Sequence, residues 1–276
     1  YPADRTICFM RSSDGVKWSE WTRLATIDKG HYQVSYAKRQ KAGTAFNYHP
    51  EGKGLNWRTN LYYIETPDFG KTWQTADGKK LILPISRVDS PALVHDYQAE
   101  GLNVYLKDIQ FDKKGMPVVL FVTSRGYQSG PQNDPRTWTT ARWTGKEWDI
   151  RPVTTSDNNY DMGSLYIEDD GNWVIIGPTE AGPQAYNPGG EIGMWKSKDM
   201  GKTWKKVLQL TNNSKYNHTY VRRPLNAHCD FCALWADGHG RRPSESNLYF
   251  CDEKGIVRIL PREMNEDFIT PQILNE

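Results

Sequence analysis

The sequence predicts an all-β fold, a β-propeller of four-stranded antiparallel blades, and three observations carry that expectation. The string S/T-x-D-x-G-x-T-W occurs at Ser197–Trp204 and again at Thr66–Trp73, with a copy one residue shorter at Ser12–Trp18. Each copy sits between two β-like runs, and its Asp-x-Gly core suits a turn: the carboxylate accepts backbone N–H groups two or three residues on, Gly supplies positive φ, and Trp folds back onto the hairpin. Three such turns in 276 residues mark a repeat architecture. The composition agrees: 11 Trp and 15 Tyr in a chain only 37% hydrophobic, with mean hydropathy −0.74, suit many short half-exposed strands. The third observation is spacing. The anchors Trp18, Trp73, Trp148, Trp204 and Val257 stand 55, 75, 56 and 53 residues apart, regular except for one excursion near residues 80–100.

The strands follow in order. An outer hairpin spans 5–11 and 19–24. Inner strands near 32–37 and 44–48 precede outer strands around the box at 66–73. The third blade takes 103–111, 117–123, 138–143 and 147–151, and the fourth takes 160–167 and 173–178 with its outer hairpin around 197–204. The fifth takes 218–222, 231–235, 247–251 and 256–260. Residues 1–276 thus read as one propeller domain with four and a half to five blades in view. The first hairpin has no inner pair and the chain starts Tyr1-Pro2-Ala3-Asp4, so a processed or partial chain lacking N-terminal blades is expected.

Several classes are set aside. No apolar run approaches the roughly 18 residues of a membrane span. A net charge of +2 with scattered Lys and Arg carries no nucleic-acid footprint. There is no phosphate loop, no GxSxG and no HExxH. Cys229 and Cys232 are expected on opposite faces of one strand, as buried thiols.

Blade topology assigns the candidate site. The Asp boxes occupy turns between strands three and four, so Asp14, Asp68 and Asp199 are turn-locking residues, and the Asp169-Asp170-Gly171 turn is of the same kind. The opposite end collects the starts of first strands and the ends of second strands. There lie His31, Tyr32 and Gln33; Asn47, Tyr48, His49 and then Arg58; Lys107 and Asp108; Arg125 and Tyr127; Tyr160 and Asp161; Glu180; His218, Tyr220 and Arg222; Asp237 and His239. Four of the six histidines fall at that end. His218, Tyr220 and Arg222 stand two apart, which on a strand puts all three on one face. A His base, a Tyr proton donor and an Arg anion clamp suit acid–base work on a carboxylate-bearing substrate, and His49, Tyr48 and Arg58 offer the same set. The alternative is inner strands whose polar groups bind neighbouring blades. The loops 126–135 and 182–190 add Tyr127 and Tyr186 as faces for sugar rings. The face histidines could also hold a divalent cation such as Ca or Zn.

With its boxes and strings such as Asn47-Tyr48-His49-Pro50, Trp57-Arg58 and Tyr160-Asp161-Met162-Gly163, the chain resembles the BNR/Asp-box propellers of the sialidase-like superfamily. It is most similar to the branch of ulvan lyases and rhamnose–glucuronate lyases. The resemblance implies a seven-bladed parent and a polysaccharide or oligosaccharide partner. It implies a secreted or periplasmic bacterial setting and β-elimination of uronate polymers, with a hydrolase or a non-catalytic binding propeller as alternatives. In that reading His49 or His218 is the base, Tyr48 or Tyr220 the donor and Arg222 or Arg58 the clamp. His31, Gln33, Lys107, Asp108, Arg125, Tyr127, Asp161, Glu180, Tyr186 and His239 contact substrate. No Tyr–Glu nucleophile pair of the sialidase kind is evident. The face carboxylates available to a hydrolase are Asp108, Asp161 and Glu180.

Overall fold

The computed structural model describes residues 5–168 and 170–274. The N-terminal Tyr1-Pro2-Ala3-Asp4 and the turn residue Asp169 lie outside the described residues. The described chain is almost wholly strand and turn. A two-stranded sheet pairs β1 (Ile7–Phe9) with β2 (Thr22–Ala25). The next sheet runs β3 (Gln33–Lys38), β4 (Lys41–Tyr48), β5 (Thr59–Thr66) and β6 (Leu93–His95). A third holds β7 (Asn103–Phe111), β8 (Pro117–Ser124), β9 (Arg136–Trp143) and β10 (Trp148–Ser156). A fourth holds β11 (Ser164–Ile167), β12 (Trp173–Glu180), β13 (Glu191–Ser197) and β14 (Lys205–Gln209). The fifth holds β15 (Asn217–Arg222), β16 (Ala233–Gly238), β17 (Leu248–Cys251), β18 (Val257–Ile259) and a short fifth strand, β19 (Gln272–Ile273). Each four-stranded set is the antiparallel meander of a propeller blade.

The chain divides into two compact units. One comprises the described residues up to Tyr127 with Thr139–Ile150; the other comprises Gln128–Trp138 and the residues from Arg151 onward. In the first, Leu24, Ile27, Phe46, Tyr48, Tyr62, Ile64 and Trp73 make one core cluster, and Ala45, Leu61, Tyr63, Val104, Phe111 and Phe121 another. Successive residues of β5 thus serve different clusters, as strand alternation requires. In the second unit Ile176, Ile192, Met194, Val221, Trp235 and Tyr249 form the core.

Three expectations change. The strands are not uniformly half-exposed: β5 and β8 are buried at every position and β14 at none, because a middle strand is covered on both sides while an outer strand meets water. The fourth strand of the second sheet does not directly follow its box. Gln74 makes a single bridge to Glu65, the chain leaves, Ile85 bridges to Ala25, and β6 returns to pair with Leu61 and Tyr62. The excursion is therefore an insertion inside one strand. Finally, Cys229 is exposed and precedes β16, in a turn closed by the His228–Phe231 bridge. Cys232 is half-buried, its Sγ 3.8 Å from that of Cys251.

The two complete boxes share one geometry. Asp199 Oδ1 accepts from the Ser197 hydroxyl (2.8 Å) and Thr203 N–H (2.9 Å), Oδ2 accepts from the Thr203 hydroxyl (2.6 Å), and Gly201 N–H donates to Ser197 Oγ (2.8 Å). Thr66, Asp68, Gly70 and Thr72 repeat it. The main backbone donor lies four residues on, and the N–H three on contributes more weakly; the shortened box uses Val16 and Lys17 N–H, two and three on. Its Trp18 is exposed, whereas Trp73 is buried. The Thr203 hydroxyl bond first, with the Thr203 N–H and Ser197 bonds, draws the Asp199 carboxyl down to about 2. That contribution is complete above the ordinary value of 3.8 and is lost as pH falls toward about 2. Asp199→Ala is expected to destabilise by about 1 kcal/mol, as loss of a comparable side-chain cap does. Melting curves should show the gap from the parent chain narrowing below pH 3.8; a gap independent of pH refutes the carboxylate's role.

Candidate functional site

In the first unit the end of β4 and the start of β3 are pegged together by His31 and Asn47. Asn47 C=O accepts from His31 Nδ1–H (2.8 Å), so His31 Nε2 is left as the acceptor for Ile27 N–H (2.9 Å). Asn47 Oδ1 accepts Tyr32 N–H (3.0 Å), and its Nδ2 donates to Val104 O on β7 (2.8 Å). His31 therefore ties the backbone of Ile27 to that of Asn47, with both ring nitrogens engaged by protein.

The peg presents Tyr32, which is 43% exposed, to two neighbours. Its ring meets His49 edge-on at 5.2 Å, and the Arg58 guanidinium lies 4.3 Å above it. Arg58 also lies 4.7 Å from the Tyr105 ring, so the cation sits between two tyrosines. Tyr32 Oη accepts a bond from Arg5 (3.2 Å). Lys107 Nζ stands 5.9 Å from the Tyr105 ring. The register slips between Leu106 and Asp108, so Lys107 is the extra residue of a bulge, a device that re-aims a side chain.

His49 is fully buried. Its Nδ1–H donates to Trp57 O (2.8 Å), which leaves Nε2 as a lone pair, and that atom has no hydrogen-bond partner among the described residues. Burial, then the charges of Arg58 and Arg5, hold the imidazole below its ordinary 6.5. The arrangement is a neutral base beside fixed cations. As it stands Nε2 is enclosed by protein, so proton removal from a substrate carbon requires that cover to move.

Other candidates in this unit stand apart. Tyr48 turns the other way from His49 into the core, where its hydroxyl binds Gln98 and burial pushes it up to about 12. Gln33 accepts from Ser35 (2.5 Å) and Thr44 (2.9 Å). Asp108 Oδ1 accepts its neighbour Ile109's N–H (2.8 Å). Arg125 and Tyr127 are exposed on the loop after β8. Tyr105 carried no sequence signal, being one apolar-looking position in a buried strand.

In the second unit His218 is the centre of a closed network. Trp235 Nε1–H donates to Nδ1 (3.0 Å), Nε2 bonds Ser214 Oγ (2.9 Å), and Ser214 and Thr211 bind Glu191 (2.9 and 2.5 Å). Both ring nitrogens are engaged, so His218 offers no lone pair to a substrate or a cation. Burial, opposed by the Glu191 and Asp237 charges, lowers it too. The expectation that His218, Tyr220 and Arg222 share a face fails: the register slips between Thr219 and Arg222, and Tyr220 has φ 65°. The bulge breaks the alternation, burying His218 and leaving Tyr220 56% exposed. Arg222 stacks on the Tyr220 ring at 4.1 Å.

Asp161 is a fully buried loop anchor, accepting Gly189 N–H (2.7 Å) and Asn158 N–H (3.0 Å). Glu180 pairs with Lys206 (3.1 Å). Tyr186 lies 5.8 Å from the Arg136 guanidinium, and its carbonyl accepts from Arg241 (3.2 Å). His239 Nδ1 accepts Arg241 N–H (3.2 Å) within the β16–β17 loop. A compact His/Cys/Asp group does occur among the described residues, but at His228, Cys229 and Asp230, all exposed, and it includes none of the face histidines.

Because folded His49 and His218 are held below 6.5, the unfolded chain binds more protons just below that value. Stability is therefore full above pH 6.5 and declines as pH falls below it. A melting temperature flat from pH 7 to about 5 contradicts this.

A family model for BNR repeat-containing family members matches residues 5–156, more than half of the chain. The chain belongs to this family. No curated protein matches it. Among solved structures, an ulvan lyase of a polysaccharide lyase family aligns with a TM-score of 0.69 at 17% identity, over 90% of this chain and 59% of that one. The same enzyme bound to a repeat of glucuronate and rhamnose 3-sulfate aligns with a TM-score of 0.70 over the same shares. A Hadza microbial sialidase aligns with a TM-score of 0.55 at 12% identity, over 94% of this chain and 53% of that one. At such identities the likeness is one of fold, and the fold is the β-propeller. This BNR-repeat chain spans less than two thirds of the length of those relatives.

Proposed function

We propose that this BNR-repeat chain is a carbohydrate-active enzyme that cleaves uronate-containing polysaccharide by β-elimination. The observation that carries the reading is the buried, neutral His49 with its bare Nε2 next to the ring-sandwiched Arg58. In this scheme Arg58 neutralises the uronate carboxylate and Lys107 adds to the positive field. His49 Nε2 takes the C5 proton. The C–H electron pair becomes the C4=C5 double bond as the C4–O bond breaks, and the leaving oxygen takes the proton of Tyr32. The bond from Arg5 to Tyr32 Oη stabilises the resulting phenolate.

A hydrolase needs two carboxylates placed about the scissile bond. Asp108 and Asp161 accept backbone N–H groups and Glu180 pairs with Lys206, which favours elimination. The test is incubation with glucuronan or a glucuronate–rhamnose polymer. Elimination yields ultraviolet absorbance from the conjugated double bond. New reducing ends without that absorbance, or no turnover, defeat the reading.

A further inference from the structure

We infer that Tyr220, backed by Arg222, is a binding platform for a sugar ring of an acidic oligosaccharide; the chemical class of that ligand rests on the reading above.

Three observations meet at this residue. Tyr220 is a non-glycine residue at φ 65°, in the left-handed region that side chains other than Gly, Asn and Asp rarely adopt. A conformation of that kind persists only where its surroundings impose it, and such positions concentrate at ligand sites. The strain also brings no burial, for the ring ends 56% exposed. A tyrosine packed for stability would do the reverse.

The second observation is the guanidinium. Arg222 lies 4.1 Å from the ring centroid, and it makes no salt bridge among the described residues. It holds the ring in one orientation while keeping a positive charge at its edge. A ring with one face backed by a cation and much of its area in water suits the axial C–H face of a pyranose. The adjacent charge suits a carboxylate or sulfate on that sugar.

The third is rigidity underneath. The Gly190 and His218 backbones exchange two hydrogen bonds of 2.9 Å, docking the loop 182–190 onto β15. At Gly189 a Cβ would lie 2.4 Å from the His218 carbonyl oxygen, so the loop approaches the strand as closely as only glycine allows. Asn217 joins them further, its Oδ1 accepting Gln184 N–H (3.0 Å) and its Nδ2 donating to Gly189 O (3.1 Å). Val221 N–H donates to Met162 O (3.0 Å), bringing alongside the segment that carries the 44% exposed Tyr160. The bulge is thus held from both sides, and a preordered aromatic surface binds without an ordering penalty.

The role is one of stacking and not of proton donation, and the two predict different variants. Affinity for a glucuronan tetrasaccharide is measured by calorimetry in a His49→Ala background, which keeps the probe intact. Cellotetraose serves as the neutral counterpart. Tyr220→Phe should bind as the parent does. Tyr220→Ala and Tyr220→Gly should each weaken binding about tenfold, and Arg222→Gln should remove most of the preference for the acidic probe. Tyr220→Gly also relieves the left-handed backbone, so its melting temperature should equal or exceed the parent's.

Binding lost equally in Tyr220→Phe assigns the role to the hydroxyl and overturns the inference. So does affinity unchanged in Tyr220→Ala, no binding by the parent, or a marked fall in melting temperature for Tyr220→Gly. Turnover by the unmodified chain is read separately. Tyr220-dependent binding without elimination product would uphold the platform and sink the lyase reading.

Discussion

His49→Ala is expected to lower the elimination rate about a thousandfold, the usual weight of a positioned general base. The loss should fall on kcat more than on KM, because the imidazole acts on the C5 proton while Arg58 binds the uronate carboxylate. Removing a buried ring also opens a cavity, so His49→Gln, which keeps most of the volume, is the paired variant. If His49→Gln folds normally by circular dichroism yet retains more than a tenth of the parental rate, His49 is not the base. The pH profile supplies a second check. The base works in its neutral form, and His49 is held below the ordinary 6.5 by burial and by the neighbouring arginines. The acid limb of kcat/KM should therefore lie below pH 6.5. Arg58→Gln removes one of the charges that lower it, and should move that limb toward higher pH while raising KM.

Gly201→Ala should be among the most destabilising single-methyl changes in the chain, by about 3 kcal/mol. Gly201 sits at φ 82°, where alanine is strained, and a Cβ there would lie 2.5 Å from Cζ3 of Trp173. Trp173 is 1% exposed, so it has no room to give way. The corresponding change in the other complete box, Gly70→Ala, meets Arg11 Cδ at 3.1 Å and the edge of Phe9 at 3.2 Å, a flexible chain and a half-buried ring. It should cost about half as much. Equal shifts in urea midpoint for the two variants would show that backbone strain alone sets the cost.

Much of the blade plan was legible because turns are local. A Ser/Thr-x-Asp-x-Gly-x-Thr string closes its own hydrogen bonds within seven residues, so Asp68 and Asp199 could be placed by reading neighbours. The spacing of the tryptophan anchors then gave the blade period, and the structure keeps it. The excursion was visible as an irregular interval, but not that it interrupts a strand. Ile85 bridges to Ala25 and Leu93–His95 to Leu61 and Tyr62, and pairings across tens of residues leave no mark in a local pattern.

The candidate site was legible as a list and not as an arrangement. Strand alternation predicted that His218, Tyr220 and Arg222 would point together. One left-handed residue at Tyr220 undid it, and a bulge is a cheap local event that composition does not announce. Tyr48 and His49 were both expected on the site face, yet alternation sends Tyr48 to the core. Tyr105, which holds Arg58 from the second side, looked like any other residue of a buried strand.

The sequence by itself determined the all-β class, the repeat and the role of the Asp boxes. Those properties follow from turn chemistry and from periodicity, which act over a few residues. Only the tertiary structure decided which histidine has a nitrogen to spare. His31, His49 and His218 are the same residue at similar blade positions. They differ in whether a backbone group or a tryptophan from another segment reaches the second ring nitrogen, and that depends on how distant strands pack.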